Sequence, residues 1–130
     1  MPFVYVDVDS LVTPQPKPNV GSGHCVPLVQ QFAGCPPTAE WTKGVDVRNH
    51  MLLLKGTAIA TFVNGKYPNA GTGNHAALYV SQDSAGVWVV DQYVGSNGIK
   101  KRHLKFKGKA ADGRYVDPTN NGDAFSVIET

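Results

Sequence analysis

A thiol, an imidazole and a carboxylate can together cut an amide bond. The chain holds two cysteines and four histidines among its 130 residues. Cys25 has the more telling setting of the two thiols. Gly21-Ser22-Gly23-His24 forms a glycine-spaced turn, and Cys25 follows at the mouth of the apolar run Val26-Pro27-Leu28-Val29-Gln30-Gln31-Phe32-Ala33. Leu28, Val29 and Phe32 recur at three- and four-residue spacing, which predicts a helix over residues 25–33 with Cys25 on the same side. Pro27 falls in the first turn, where N–H groups lack intrahelical partners, so it is tolerated. Gly34 suits the position after the helix, and Pro36-Pro37 forbid continuation. Cys25 is thus expected at a helix N-terminus, where free N–H groups and the helix dipole favour thiolate over thiol. The alternative is that Cys25 is one more small core residue, since free Cys is among the most buried types.

A thiolate needs a base, and the base needs an orienting group. His24 adjoins Cys25 along the backbone, a position from which side chains usually diverge. His50 has no clear setting, and His103 lies within a basic segment. His75 opens a strand directly after Gly71-Thr72-Gly73-Asn74, and the small pair Ala76-Ala77 lets another element approach. It is the candidate base, against the plainer reading of a structural strand histidine. The next strand carries Val87-Trp88-Val89-Val90-Asp91-Gln92-Tyr93. A turn centred near Ser84 sets position 75 opposite about 91–93, and period-two alternation puts Asp91 and Tyr93 on the His75 face. A buried carboxylate needs a partner, and an imidazolium would serve. A one-residue slip in register would hand the role to Gln92, and Asp91 would then be an exposed charge at a strand end.

These residues must be held by a scaffold whose elements are partly legible. Residues 3–8 read as a short strand, and Pro14, Pro16 and Pro18 as an extended surface segment. Residues 38–43 read as a short helix capped by Thr38, with Trp41 as its core anchor. Thr57-Ala58-Ile59-Ala60-Thr61-Phe62-Val63 is a strand ending at the turn dipeptide Asn64-Gly65. Residues 74–81 and 87–93 form an antiparallel hairpin. Residues 100–107 and 125–128 supply two more strands, separated by the turn-forming run 117–123. One helix followed by strands predicts an α+β fold, the Cys-bearing helix packed on an antiparallel sheet, in a single domain spanning 1–130.

Composition bounds the function. Hydrophobic content is 42% and charged content 17%, the balance of a globular protein. No run approaches the roughly 18 apolar residues of a membrane span, and the N-terminal residues lack the basic and apolar regions of a secretory signal. Cytoplasmic synthesis and export by other machinery is the corresponding expectation. The net charge of +2 is uneven: Lys100, Lys101, Arg102, Lys105, Lys107 and Lys109 fall in ten residues. Such a patch could meet an anionic polymer, but a solvated edge strand with Leu104 and Phe106 turned inward accounts for it. No nucleic-acid or membrane partner is therefore expected. Neither C-x-x-C nor H-x-x-x-H occurs, so no metal or other cofactor is expected. Ten residues of helix span about 15 Å, too far for a Cys25–Cys35 disulfide unless the helix breaks early.

The stretches Gly-His-Cys-Val-x-Leu-Val, Leu-x-x-Gly-Thr-Ala-Ile-Ala, Gly-Asn-His-Ala-Ala-Leu-Tyr and Val-Val-Asp-Gln-Tyr resemble the papain-like NlpC/P60 and CHAP amidase superfamily over residues 20–95. The compact size further resembles small type VI secretion amidase effectors, toxins that cut the peptide stems of peptidoglycan. Thr57-Ala58 replaces the usual Gly-Asp, and no His stands in the third position. The resemblance implies a cysteine amidase with Cys25 as nucleophile, His75 as base and then acid, and Asp91 or Gln92 as the orienting residue. The Cys25 N–H would be one oxyanion donor, and Asn19, six residues earlier, would take the place of a papain-like glutamine. It also implies delivery to a target-cell periplasm and a cognate immunity partner. The competing readings are a thiol deamidase or transferase acting on protein or lipid, and a binding or immunity protein without chemistry.

Overall fold

A computed structural model describes residues 2–130; Met1, the first residue of the expected domain, lies outside the described residues. One helix, α1 (Cys25–Ala33), packs on a six-stranded antiparallel sheet. The strands are β1 (Thr42–Asp46), β2 (Ala58–Thr61), β3 (Ala76–Gln82), β4 (Gly86–Asp91), β5 (Lys100–Lys105) and β6 (Phe125–Glu129). Their order is β1-β6-β2-β3-β4-β5, so the last strand of the chain inserts beside β2 in the middle of the sheet. This is the expected α+β arrangement.

The helix ends as its sequence dictates. Gly34 adopts the left-handed conformation at φ 76°, and its N–H and that of Cys35 bond back to Gln30 and Val29. Leu28 and Val29 are fully buried against Ala58, Ala60, Ala76, Leu78, Val80 and Val90. Three of those six are alanines, which leaves room for α1 to lie close to the strands. The opposite face carries Ile59, Ala77, Tyr79, Val87, Val89, Leu104 and Phe125, covered by Leu53, Phe106 and Tyr115 from the connecting loops. Both faces are therefore dry, and the short β2 (Ala58–Thr61) is buried at every position.

Two turns were legible in detail. Asn64 and Gly65 have φ of 51° and 78°, and Val63 and Lys66 exchange both backbone hydrogen bonds around them. Positive φ at both central residues is the hairpin turn that Asn-Gly favours. The β3–β4 hairpin pairs Leu78 with Val90 and Tyr79 with Val89, then shifts by one residue before Ser81 pairs with Trp88. The bulge lies between the turn and the site and moves the pairing by one residue, so Leu78 faces Val90 and Asp91 shares the face of Ala77 and His75. The turn-side register carried on without it would set Asp91 opposite Leu78. β5 is an edge strand with Lys100, Lys101 and Lys105 exposed and Leu104 buried.

Elsewhere the chain departs from expectation. Residues 38–43 form only a 3-10 turn, Thr38–Glu40, without a side-chain cap, and then β1. Trp41 is fully buried, with its indole N–H donating to the Pro36 carbonyl at 2.9 Å. In residues 3–8 a single bridge, Val4 to Thr57, replaces the expected strand. That segment is fixed by Gly56, whose φ of 94° and missing Cβ admit the Tyr5 carbonyl. A 3-10 turn, Val8–Leu11, then buries Val8 and Leu11. Both cysteines are free, and Cys35 packs in the helix-side core. No helix among the described residues is long and apolar enough to cross a membrane.

Candidate active site

The site lies where the N-terminus of α1 meets the start of β3 and the end of β4. Cys25 is the first residue of α1, half-buried, after an extended His24. The approach is tight: a Cβ on Gly21, at φ 59°, would come within 2.8 Å of the Pro27 ring. His75 immediately precedes β3 and is 5% exposed. Its N–H donates to the Thr61 hydroxyl oxygen at 3.0 Å, which pins the strand start to β2. Its ring packs edge-on against Phe125, with centroids 6.3 Å apart. Asp91 ends β4 and is fully buried.

His75 Nε2 lies 2.7 Å from Asp91 Oδ2. With Nε2 taken, Nδ1 is the ring nitrogen left for Cys25, to which His75 is also hydrogen-bonded. The sulfur has two further neighbours: the Ala76 N–H donates to it, and the Tyr67 hydroxyl lies 3.7 Å away. Burial pushes the Cys25 thiol pKa up, but the His75 hydrogen bond and charge, with Ala76 and Tyr67, outweigh it and hold the thiol below its ordinary value. Burial likewise disfavours a charged His75, yet the bonds to Asp91 and Cys25 raise it to about 9. A depressed thiol beside a raised imidazole favours the thiolate–imidazolium pair over the neutral one. Cys35 has no such partner, and burial alone pushes it up to about 12.

Three further residues complete the site, and none was singled out from sequence. Arg102 on β5 donates to Asp91 through Nε at 3.0 and 3.1 Å and through Nη2 at 2.6 Å. Its Nη1 donates to Asn120 Oδ1 at 3.0 Å. Burial works against the Asp91 charge, but His75 and Arg102 keep its carboxyl below the usual range. Arg102 was hidden as one cation among six in a solvated strand. Its position opposite Val89, two residues from Asp91, is the signal that would have found it. Tyr67 and Asn120 come from loops that no periodicity addresses.

Gln92 and Asn19 stand apart from the sulfur. Gln92 is fully buried; its Oε1 accepts from the Val20 N–H at 2.8 Å, and its Nε2 donates to the Val20 and His24 carbonyls at 2.9 and 2.7 Å. Asn19 donates to the Tyr93 carbonyl at 3.2 Å and accepts from Ser96 at 3.3 Å. Both brace the loop that delivers Cys25, and neither lines the cavity beside it. That cavity, about 750 Å³, is bounded by Cys25, His75, Tyr67, the 69–74 loop, Arg102 and Asn120. Among the described residues no group of three or more His, Cys, Asp or Glu is placed to hold a metal ion.

A thiol at a helix start, beside an imidazole held by a carboxylate on an antiparallel sheet, is the arrangement of a papain-like cysteine hydrolase. Comparison with known proteins makes this more specific. The chain belongs to the domesticated amidase effector 2 family, whose profile matches residues 12–128. It is 37% identical to a type VI secretion amidase effector 2 protein of Salmonella typhi, over 99% of this chain and all of that one. It is 32% identical to domesticated amidase effector 2 of Ixodes scapularis, over 85% of this chain and 74% of that protein. The solved structure of a type 6 secretion amidase effector 2 superimposes with a TM-score of 0.87 at 34% identity, covering 98% and 94% of the two chains.

Proposed function

We propose that the protein is a cysteine amidase that cleaves an amide bond in the peptide stems of peptidoglycan, as an antibacterial effector. The observation that carries this reading is the contact of the Cys25 thiol with an imidazole held 2.7 Å from a buried carboxylate, in a chain of an amidase effector family. The Cys25 thiolate attacks the amide carbonyl carbon and the carbonyl π electrons move to oxygen. His75 imidazolium gives its proton to the departing amine as the C–N bond breaks, which leaves a thioester. Water then attacks that thioester while His75 takes its proton, and the Cys25–carbon bond breaks to release the acid. Asp91 holds the ring so that one nitrogen always faces the sulfur, and Arg102 holds Asp91. The whole of this chemistry belongs to one domain, residues 1–130.

The names of the relatives support secretion into another cell; the target-cell periplasm is where the proposed substrate lies. A cognate immunity partner, shielding the producing cells from the same enzyme delivered by their neighbours, belongs to this reading. The test is a digest of purified peptidoglycan with the wild type and Cys25→Ala, with fragments read by mass spectrometry and free amino groups counted. New amino groups and shortened stems with the wild type alone support the reading. Release of ammonia without stem cleavage would instead make the enzyme a deamidase.

A further inference from the structure

Acyl transfer needs donors aimed at the oxygen that becomes negative, and the helix start supplies one, the Cys25 N–H. Asn19, the residue placed by resemblance to give the second, is tied to Tyr93 and Ser96 instead. Tyr67 stands at the sulfur. Its hydroxyl is 3.7 Å from Cys25 Sγ, long for a bond to sulfur and right for a group with room to meet an atom beyond it.

We propose that the Tyr67 hydroxyl is the second oxyanion donor, acting with the Cys25 N–H on the carbonyl oxygen of the scissile amide. This rests on the reading that Cys25 attacks an amide.

The surroundings fix the direction of the hydroxyl. Asn74 Oδ1 accepts from the Ala70 N–H at 2.6 Å, which leaves the Asn74 amide N–H to donate to the Tyr67 oxygen. With its oxygen accepting there, Tyr67 has its own O–H free for the sulfur side. The ring is clamped as well. It is 8% exposed and packs against Trp41 with centroids 4.8 Å apart and ring planes tilted by 58°, and Trp41 is itself locked to Pro36. A rigid, dry hydroxyl that needs no reorganisation is what makes an oxyanion donor effective. Burial and the neighbouring Cys25 charge both push the phenol up, so it stays protonated throughout the working range. In the resting enzyme the O–H faces thiolate. As the Cys25–carbon bond forms, the charge passes from sulfur to the carbonyl oxygen. The hydroxyl can then contract from a long contact with sulfur to a full hydrogen bond, which is stabilisation gained in the transition state.

The test is Tyr67→Phe in the full chain, which keeps the ring on Trp41 and removes only the hydroxyl. Turnover is measured on soluble muropeptides from purified peptidoglycan, beside the rate of iodoacetamide alkylation as a function of pH. Alkylation consumes the thiolate without building an oxyanion. Tyr67 is also the weakest of the groups lowering the Cys25 pKa. The expected result is a fall in kcat of about 10²–10³-fold with KM and the alkylation profile little changed. A near-normal kcat overturns the assignment. So does a loss of turnover matched by an equal loss of alkylation, or a raised KM at unchanged kcat. Cys25→Ala, run beside it, separates the two claims: turnover that survives there overturns the thiol mechanism and this assignment with it. An inactive Cys25→Ala beside a fully active Tyr67→Phe overturns only the role of Tyr67.

Discussion

Asp91, the last residue of β4, and Gln92, the residue after it, secure opposite partners of the same ion pair. Asp91 bonds His75 at 2.7 Å, while Gln92 bonds the backbone of Val20 and His24, the residues leading into Cys25. Successive side chains of a strand point to opposite faces, so one dipeptide reaches the imidazole on one side and the nucleophile loop on the other. A shift of β4 would move both together. The alternation that selects Asp91 as the partner of His75 therefore also places Gln92 at the helix side.

Asp91→Asn keeps the shape and removes the charge. The imidazolium loses the group that does most to hold its proton, and Arg102 loses its carboxylate. The loss of turnover is expected at about 10–10³-fold, or 1.4–4 kcal/mol in barrier, below the 10⁴ of a serine triad because the thiolate already supports the imidazolium. Steady-state rates on muropeptides check it, with circular dichroism to confirm folding.

Gln92→Ala tests the other half. From sequence alone this change looks nearly silent, because Gln92 faces away from His75. The structure gives it a cost. The Val20 N–H and the Val20 and His24 carbonyls lose their partner in a partly buried place, at no more than about 1–3 kcal/mol, the cost of a fully buried stranded group. The expected outcome is a lower urea midpoint together with slower alkylation of Cys25, since the loop that aims the thiol is released. A variant as stable and as reactive as the wild type would show that the turn at Gly21–Gly23 holds itself.

The parts of this site that were legible share a cause, which is local chemistry with one outcome. Gly34 and Pro36-Pro37 fix the end of α1, Asn64-Gly65 fixes a turn, and alternation sends Asp91 and Gln92 to opposite faces, with the bulge between Tyr79 and Ser81 deciding which face is which. What was hidden depends on contacts distant in sequence. Thr42-Lys43-Gly44-Val45-Asp46 has no apolar alternation and becomes a strand only because β6 lies beside it, with Gly44 letting the Val127 carbonyl approach. Tyr67 sits in a loop and gains its place by packing against Trp41. Arg102 has the sequence setting of a solvated lysine neighbour and gains its role from the cross-strand diagonal to Asp91.

Arg102→Met tests that diagonal. The variant leaves the buried Asp91 with His75 as its one charged partner. The cost is expected at no more than about 3 kcal/mol, the lower end for a broken buried pair, because Arg102 is partly solvated and the imidazolium remains. The His75 pKa should stay raised in this variant, since its causes are Asp91 and Cys25. Urea titration reads the first effect and NMR titration of the imidazole the second. A His75 that returns to its ordinary value would mean that Asp91 has left the ring.

The pH profile follows from the signs at the dyad. The Cys25 pKa is lowered and that of His75 raised to about 9, so the ion pair exists between the two. Activity should rise as pH passes upward through the depressed thiol value. It should fall as pH rises through about 9, when the imidazolium loses the proton it must give to the leaving amine. The two limbs belong to the coupled pair rather than to either residue alone. Stability carries a related signature. A His75 pKa raised above its unfolded value of 6.5 contributes stability that is full below 6.5 and is lost as pH rises through the folded value. Cys25→Ala removes the thiolate's share but leaves Asp91, so its His75 should titrate below the wild-type value. Rates from pH 5 to 10 for the wild type, with imidazole NMR titrations of both proteins, check these expectations. A profile with no basic limb would mean that His75 does not hold its proton up to about 9, and a Cys25→Ala imidazole unchanged from the wild type would mean that the thiolate has no share in holding it.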